Sequence, residues 1–264
     1  MKIAVCLSGQ PRTIEYVIPS LLDFFSGDHE FDFFCHTWNY NTYKHKKENP
    51  IPEEHPVYWS TDETVDVVTL EKILERLNPK KAVIHSIAAL GKRRFSWDSL
   101  FYSMMYANHL KKSYEIENNF RYDFVVKSRY DICFLPSTKF KLPIGQSKDN
   151  YLDVYTSHAA RMSFEYDRIN TSDTVFYGSS LAMDLLSDSY RVVSKKLHTP
   201  SRRYDDFECL GPGTRLSDFM ESKNMRIISC LGDNCEAVYR PEMIPANPLV
   251  EFDRINQYNQ SFYK

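Results

Sequence analysis

Tyr122-Asp123-Phe124-Val125-Val126-Lys127-Ser128-Arg129-Tyr130-Asp131-Ile132-Cys133-Phe134 is the stretch whose reading decides the fold. Its Phe, Val and Ile content is that of a strand covered on both faces, as in parallel sheets. The run reads as one buried strand ending on an isolated carboxylate, Asp131, with Arg129 beside it. An ionised acid in such a place is costly unless it has a partner or a task. In open α/β sheets ligands collect at the carboxyl ends of strands. An acid there can hold a divalent cation, and the neighbouring arginine can hold a phosphate group.

Working outward, the segments before this strand alternate in period. Lys2–Leu7 is a short apolar run closed by the turn Ser8-Gly9-Gln10-Pro11-Arg12. Ile14, Val17, Ile18, Leu21, Leu22 and Phe25 then follow at the spacing of one helical face. Pro19 falls inside that pattern, so the helix either starts late or kinks there. Phe31–Trp38 is a second strand, and Asn39–Asp62 is a long polar loop of the kind that often serves as a lid. Leu70, Ile73, Leu74 and Leu77 mark a second helix, and Ala82–His85 a third strand. Ser96 is placed to cap a long helix with Trp97, Leu100, Phe101, Met104, Ala107, Leu110 and Tyr114 facing inward. Strand and helix thus alternate up to Phe134, which predicts an α/β fold with a mostly parallel, Rossmann-related sheet and helices on both faces. The second half is less regular. Asp173–Gly178 and Met225–Ser229 read as strands, and Leu181–Val193 and Thr214–Lys223 as helices. With no repeat and no break in composition, residues 1–264 are expected to form one domain, in which 136–264 supply a second half and a surface-wrapping tail.

Bulk composition narrows the function classes. The chain has 33 Lys and Arg against 35 Asp and Glu, so no basic excess argues for nucleic acid. No segment reaches the length of a membrane span. The first apolar run is too short for a signal peptide. Cys6, Cys35 and Cys133 fall in predicted buried strands, where a free thiol behaves as a small hydrophobe. Cys230 and Cys235 match no common zinc spacing. A reduced, cytoplasmic protein is expected. The 18 Tyr and 17 Phe read mainly as an aromatic core, with some rings available to stack on a sugar or base.

The turn after the first strand opens a helix, and its glycine lets a ligand approach the backbone closely. Ser8, Gly9, Gln10 and Arg12 are therefore candidate contacts for a phosphate-bearing ligand, against the plainer reading of an ordinary strand–helix turn. The chain has neither G-x-G-x-x-G nor G-x-x-x-x-G-K-[ST], which argues against a dinucleotide dehydrogenase and an ATPase. Arg93 and Arg94, in a basic loop before the long helix, are further candidates for diphosphate contact, or else a solvated surface. Trp38 ends the second strand and is a candidate for stacking on a base or sugar. His36 beside it reads equally well as a satisfied buried histidine.

Cys6-Leu7-Ser8-Gly9-Gln10-Pro11-Arg12, Phe33-Phe34-Cys35-His36-Thr37-Trp38 and the Tyr122–Asp131 run together resemble a group of viral and bacterial glycosyltransferase-like proteins. That group opens with a C-x-S-G-Q-x-R turn and carries an R-x-D strand end. The segment Asn170–Gly178 extends the likeness. The resemblance implies a GT-A-like fold, a nucleoside diphosphate sugar as donor, a glycan or other hydroxyl acceptor, and a divalent cation, Mn²⁺ or Mg²⁺. It makes 1–135 the nucleotide-sugar-binding half and 136–264 the acceptor side. Most GT-A enzymes carry D-x-D at this strand end, whereas here Arg129 stands in the first place. By analogy Asp131 touches the metal that bridges the donor diphosphate. Alternatively Arg129 neutralises the diphosphate directly, or the two residues are a structural ion pair.

An inverting transfer also needs a base within reach of the acceptor hydroxyl. Asp173 is the first candidate, and Asp205, Asp206 and Glu208 are the reserve. A retaining mechanism stays open. So do two other functions: a nucleotide-sugar-binding pseudoenzyme on the same fold, and another transferase or hydrolase of phosphate esters, for which no nucleophile elbow is present.

Overall fold

The computed structural model describes residues 1–41, 63–86, 97–134, 139–142, 152–156, 159–161, 169–171, 174–192, 212–229 and 235–237. The first half runs β1 (Lys2–Gly9), α1 (Ile14–Phe24), β2 (Glu30–Trp38), β3 (Tyr40–Asn41), β4 (Glu63–Thr64), α2 (Val67–Glu75), β5 (Lys81–His85), α3 (Trp97–Glu117), β6 (Phe124–Ser128) and β7 (Ile132–Phe134). Then come β8 (Asp153–Thr156), β9 (Ala159–Arg161), β10 (Ile169–Thr171), β11 (Phe176–Ser179), α4 (Ser180–Ser187), α5 (Pro212–Ser222), β12 (Arg226–Ser229) and β13 (Cys235–Ala237).

Seven strands form one mixed sheet in the order β12-β8-β11-β6-β1-β2-β5. β5, β2, β1 and β6 run parallel. β11 is antiparallel to both its neighbours, β6 and β8, and β12 is parallel to β8. Six strands therefore point one way and only β11 is reversed. The chain steps outward from β1 to β2 and β5, then returns to lay β6 on the other side of β1. That reversal of direction places a topological switch point at the carboxyl ends of β1 and β6, the usual position of the ligand crevice in a doubly wound sheet.

Alternating residues of β1 feed two separate cores. Ile3, Val5 and Leu7 pack with α1, α2 and the aromatic residues Phe24, Phe25 and Phe134. Ala4 and Cys6 pack on the opposite face with α3, α4 and α5. Helices thus cover both faces. On α3 the residues at every fourth position, Ser99, Ser103 and Ala107, are small and buried. They let the helix sit close on β1, near enough for the Cys6 thiol to point at the Ala107 carbonyl at 3.9 Å. Phe101, Met104, Ala107 and Leu110 face inward as expected, while Leu100 and Tyr114 are half-buried and the Trp97 side chain lies outside the described residues.

Three expectations change in detail. Of the two alternatives at Pro19 the late start does not occur: α1 starts at Ile14 and runs through Pro19. Pro19 leaves the Glu15 carbonyl without its usual helical donor, and Arg76 from beyond α2 donates to that oxygen at 3.4 Å. The Tyr122–Phe134 run is two strands rather than one. β6 stops at Ser128, and β7 leaves the main sheet to pair with β13 beneath α1. Asp131 therefore sits in the bend between two strands instead of ending a strand. In the long polar segment, β3 and β4 pair antiparallel at the base, and 42–62 lie outside the described residues. Among the described residues no helix is long and apolar enough to cross a membrane.

Candidate functional site

The crevice is built from the two turns that leave β1 and β6. Gly9 has φ +128°, a conformation that favours glycine over any side chain. Its N–H donates to Ser103 Oγ at 2.8 Å, and its carbonyl accepts from Thr37 Oγ1 at 3.0 Å. Among the described residues a Cβ built on Gly9 would meet nothing within 4 Å, so backbone geometry rather than crowding by them demands glycine. Ser8 is fully buried, and its hydroxyl has no hydrogen-bond partner among the described residues.

Arg12 also lies in left-handed space, at φ +35°, which costs a non-glycine residue about 1–2 kcal/mol. Two contacts hold it there. Its N–H donates to Asn41 Oδ1 at 2.8 Å, and its Nη1 donates to Asp131 Oδ2 at 2.5 Å. Gln10 Oε1 accepts from Arg12 Nε at 3.3 Å. From the other turn, Arg129 grips the same carboxylate with Nε to Oδ1 at 2.8 Å and Nη2 to Oδ2 at 2.6 Å. Tyr130 between them drives its ring into the core, and its hydroxyl donates to the Leu7 carbonyl at 3.2 Å, pinning the bend to β1. One buried acid thus joins two arginines that are 117 positions apart in the chain, in turns that leave adjacent strands.

Burial by itself would raise the Asp131 pKa. The charges of Arg129 and then Arg12, with their hydrogen bonds, outweigh it and bring the group down to about 2. The acid is ionised at neutral pH, and the three groups together carry one net positive charge. As a cation site Asp131 fits poorly. Its two oxygens already accept three charged N–H bonds, and among the described residues no three His, Cys, Asp or Glu side chains gather as a metal cage.

Beside the crevice, at the carboxyl ends of β2 and β5, lies a cluster of rings that position-by-position reading did not assemble. His36 Nδ1 is 2.6 Å from Ser103 Oγ, and His36 Nε2 is 3.1 Å from His85 Nδ1. His36 is fully buried. Burial, and next the proximity of His85, lower its pKa to about 3, so it is neutral. Burial also lowers the pKa of His85. Trp38 is 1% exposed and packs against His36, His85 and Tyr102. It supports the cluster from behind and offers no free face for stacking. The accessible rings are the half-buried Tyr102 and Tyr106, one helical turn apart on α3 and stacked at 5.8 Å, with His85 beside them.

Of the sequence candidates, Ser8, Gly9, Gln10, Arg12, Arg129 and Asp131 come together. Arg93, Arg94, Asp173, Asp205, Asp206 and Glu208 lie outside the described residues. Ser103, Asn41, His85, Tyr102 and Tyr106 were missed. Ser103 alone had a readable signal, a small polar residue four positions before Ala107 on the inward stripe of α3. No protein-family model matches the chain, and no curated protein matches it.

Proposed function

We propose that this protein is a glycosyltransferase of GT-A-like fold that moves a sugar from a nucleoside diphosphate sugar to a hydroxyl acceptor such as a glycan. The observation that carries this reading is the convergence of the open Gly9 turn with the Arg12–Asp131–Arg129 cluster in the crevice between β1 and β6. Guanidinium groups beside a glycine turn are the kind of donors a diphosphate leaving group requires. The four-strand order β5-β2-β1-β6 supports a nucleotide-binding half. Tyr102, Tyr106 and His85 supply ring faces at the neighbouring strand ends on which a base can stack.

In the reaction the bond between the sugar C1 and the diphosphate oxygen breaks, and its electron pair stays on the diphosphate. The acceptor oxygen forms the new bond to C1 and gives its proton to a carboxylate, for which Asp173 is the candidate. The arginines offset the charge that grows on the departing oxygen.

The test is a thermal-shift screen against UDP, GDP, ADP and CMP and their common sugar conjugates, followed by an assay for released nucleotide with glycan acceptors. A ligand at a hundredfold excess over its dissociation constant should stabilise the fold by about 2.7 kcal/mol. A shift with one nucleotide and turnover of its sugar conjugate support the reading. Binding without turnover would replace it by a nucleotide-sugar-binding protein, and no shift with any nucleotide would remove it.

A further inference from the structure

We infer that His85 reads the base of the donor: its Nε2–H donates to the exocyclic oxygen of a keto base, uracil or guanine, and Ser103 and His36 are positioning residues that fix the tautomer in which it does so. This rests on the nucleotide-sugar reading above and names the class of base. Three observations lead to it.

The first is a hydrogen-bond chain that runs in one direction. The Gly9 N–H donates to Ser103 Oγ at 2.8 Å, which leaves the serine its own single proton to give. Two acceptors lie near it, His36 Nδ1 at 2.6 Å and the His36 carbonyl at 3.3 Å. Hydroxyl donors bond at about 2.5–3.0 Å, which assigns the proton to Nδ1. His36 is fully buried and neutral, its pKa lowered to about 3 by burial and by His85. With Nδ1 accepting, its own proton is on Nε2, 3.1 Å from His85 Nδ1. Burial also holds the His85 pKa below its ordinary value, so that ring is neutral at pH 7. Its Nδ1 accepts from His36, and its proton is therefore on Nε2.

The second is access. His85 Nε2 has no hydrogen-bond partner among the described residues, yet it is not one of the buried polar atoms that lack one, so solvent reaches it. Beside His85 stand the half-buried rings of Tyr106 at 4.6 Å and Tyr102 at 5.9 Å, stacked on each other. A base can stack on such faces while its edge takes an N–H.

The third is place in the sheet. The order β6-β1-β2-β5 puts the turns that carry Arg129 and Arg12 after β6 and β1, and His85 at the carboxyl end of β5, the last strand on that side. A nucleotide with its phosphates at those turns and its base extended over β2 brings the end of the base far from the ribose to β5. That end carries an oxygen acceptor in uracil and guanine and an amino donor in cytosine and adenine. An N–H facing an amino group leaves both donors unpaired, which is how a polar site rejects the wrong analogue.

The test is calorimetric titration of the full chain with the matched pairs UDP and CDP, UMP and CMP, and GDP and ADP. In the tightest-binding pair the keto nucleotide should bind at least about tenfold more tightly than its amino partner. His85→Phe keeps a ring but loses the donor, and should bring that pair within about threefold. Nitrogen-15 spectra of histidine-labelled protein should show the His85 proton on Nε2. In Ser103→Ala they should show a mixture of both tautomers, with a smaller keto preference. An amino base bound as tightly as its keto partner, a preference that survives His85→Phe, or a wild-type His85 proton on Nδ1 would overturn the inference and leave the nucleotide reading standing. An unchanged tautomer in Ser103→Ala would overturn the positioning role. The wild-type pairs and spectra decide the matter even if a variant does not fold. No binding of any of the six nucleotides would overturn the nucleotide reading and the inference together.

Discussion

At the carboxyl ends of β1 and β6 one buried acid faces two arginines. At the amino end of β6 one buried lysine faces two acids. There Lys111 of α3, fully buried, bonds Asp184 Oδ1 of α4 at 2.9 Å, Ser180 Oγ at 2.8 Å and Glu115 Oε2 at 3.2 Å. Glu115 in turn accepts the Tyr122 N–H at 2.9 Å, and Asn108 and Arg121 donate to Asp184. This second cluster sits on regular helix and closes the seam between α3 and α4. None of its residues has the left-handed backbone found at Arg12. Buried charge alone therefore does not mark a functional site in this molecule. What distinguishes the first cluster is its left-handed backbone and the end of the sheet at which it lies.

The sharpest way to test the contrast is to break the structural cluster. Lys111→Met keeps the volume but leaves buried Glu115 without its cation and Asp184 with only the more exposed Lys112 and Arg121. It should cost about 3–5 kcal/mol, read as a lower denaturation midpoint, while the folded protein binds nucleotide as before. Asp131→Asn should cost less, about 2 kcal/mol, because Arg12 and Arg129 are partly exposed and rehydrate. The cost should depend on pH. The folded pKa of Asp131 lies near 2, below the unfolded value, so its contribution is present above about pH 4 and fades as pH falls through 2. The stability gap between variant and wild type should close over that range in urea titrations.

His36 gives a signature at higher pH. Its folded pKa is lowered to about 3, so below about pH 6.5 the unfolded chain takes up a proton that the folded one does not. Stability should fall with acidification by at most about 1.4 kcal/mol per pH unit from this group, and His36→Phe should flatten the slope. The smallest expected effect is Gly9→Ala. No atom lies in the way of the methyl group, so the cost is backbone strain alone, about 1–2 kcal/mol, with weaker nucleotide binding as the more telling readout.

The first half of the fold was legible because each element carries its own period. Ile14 to Leu21 marks a helical face, and Phe31 to Trp38 marks a strand. The bend at Arg129–Asp131 was not, because Tyr130 and Ile132 are both buried and keep the apolar pattern running through it, with no Gly or Pro to punctuate. β8, only four residues long, and the reversal of β11 depend on partners distant in the chain, which local pattern does not encode. Arg12, Arg129 and Asp131 were each visible as candidates. Their contact was not, because it joins residues 119 positions apart. Trp38 misled for a related reason. A tryptophan at a strand end reads the same whether it faces a ligand or supports His36 and Tyr102.

The most direct measurement is a calorimetric titration of wild type, Arg12→Gln and Lys111→Met with the nucleoside diphosphate that gives the largest thermal shift. The account predicts at least tenfold weaker binding in Arg12→Gln and unchanged affinity in the folded fraction of Lys111→Met. Unchanged affinity in Arg12→Gln, or an equal loss in both variants, would contradict it.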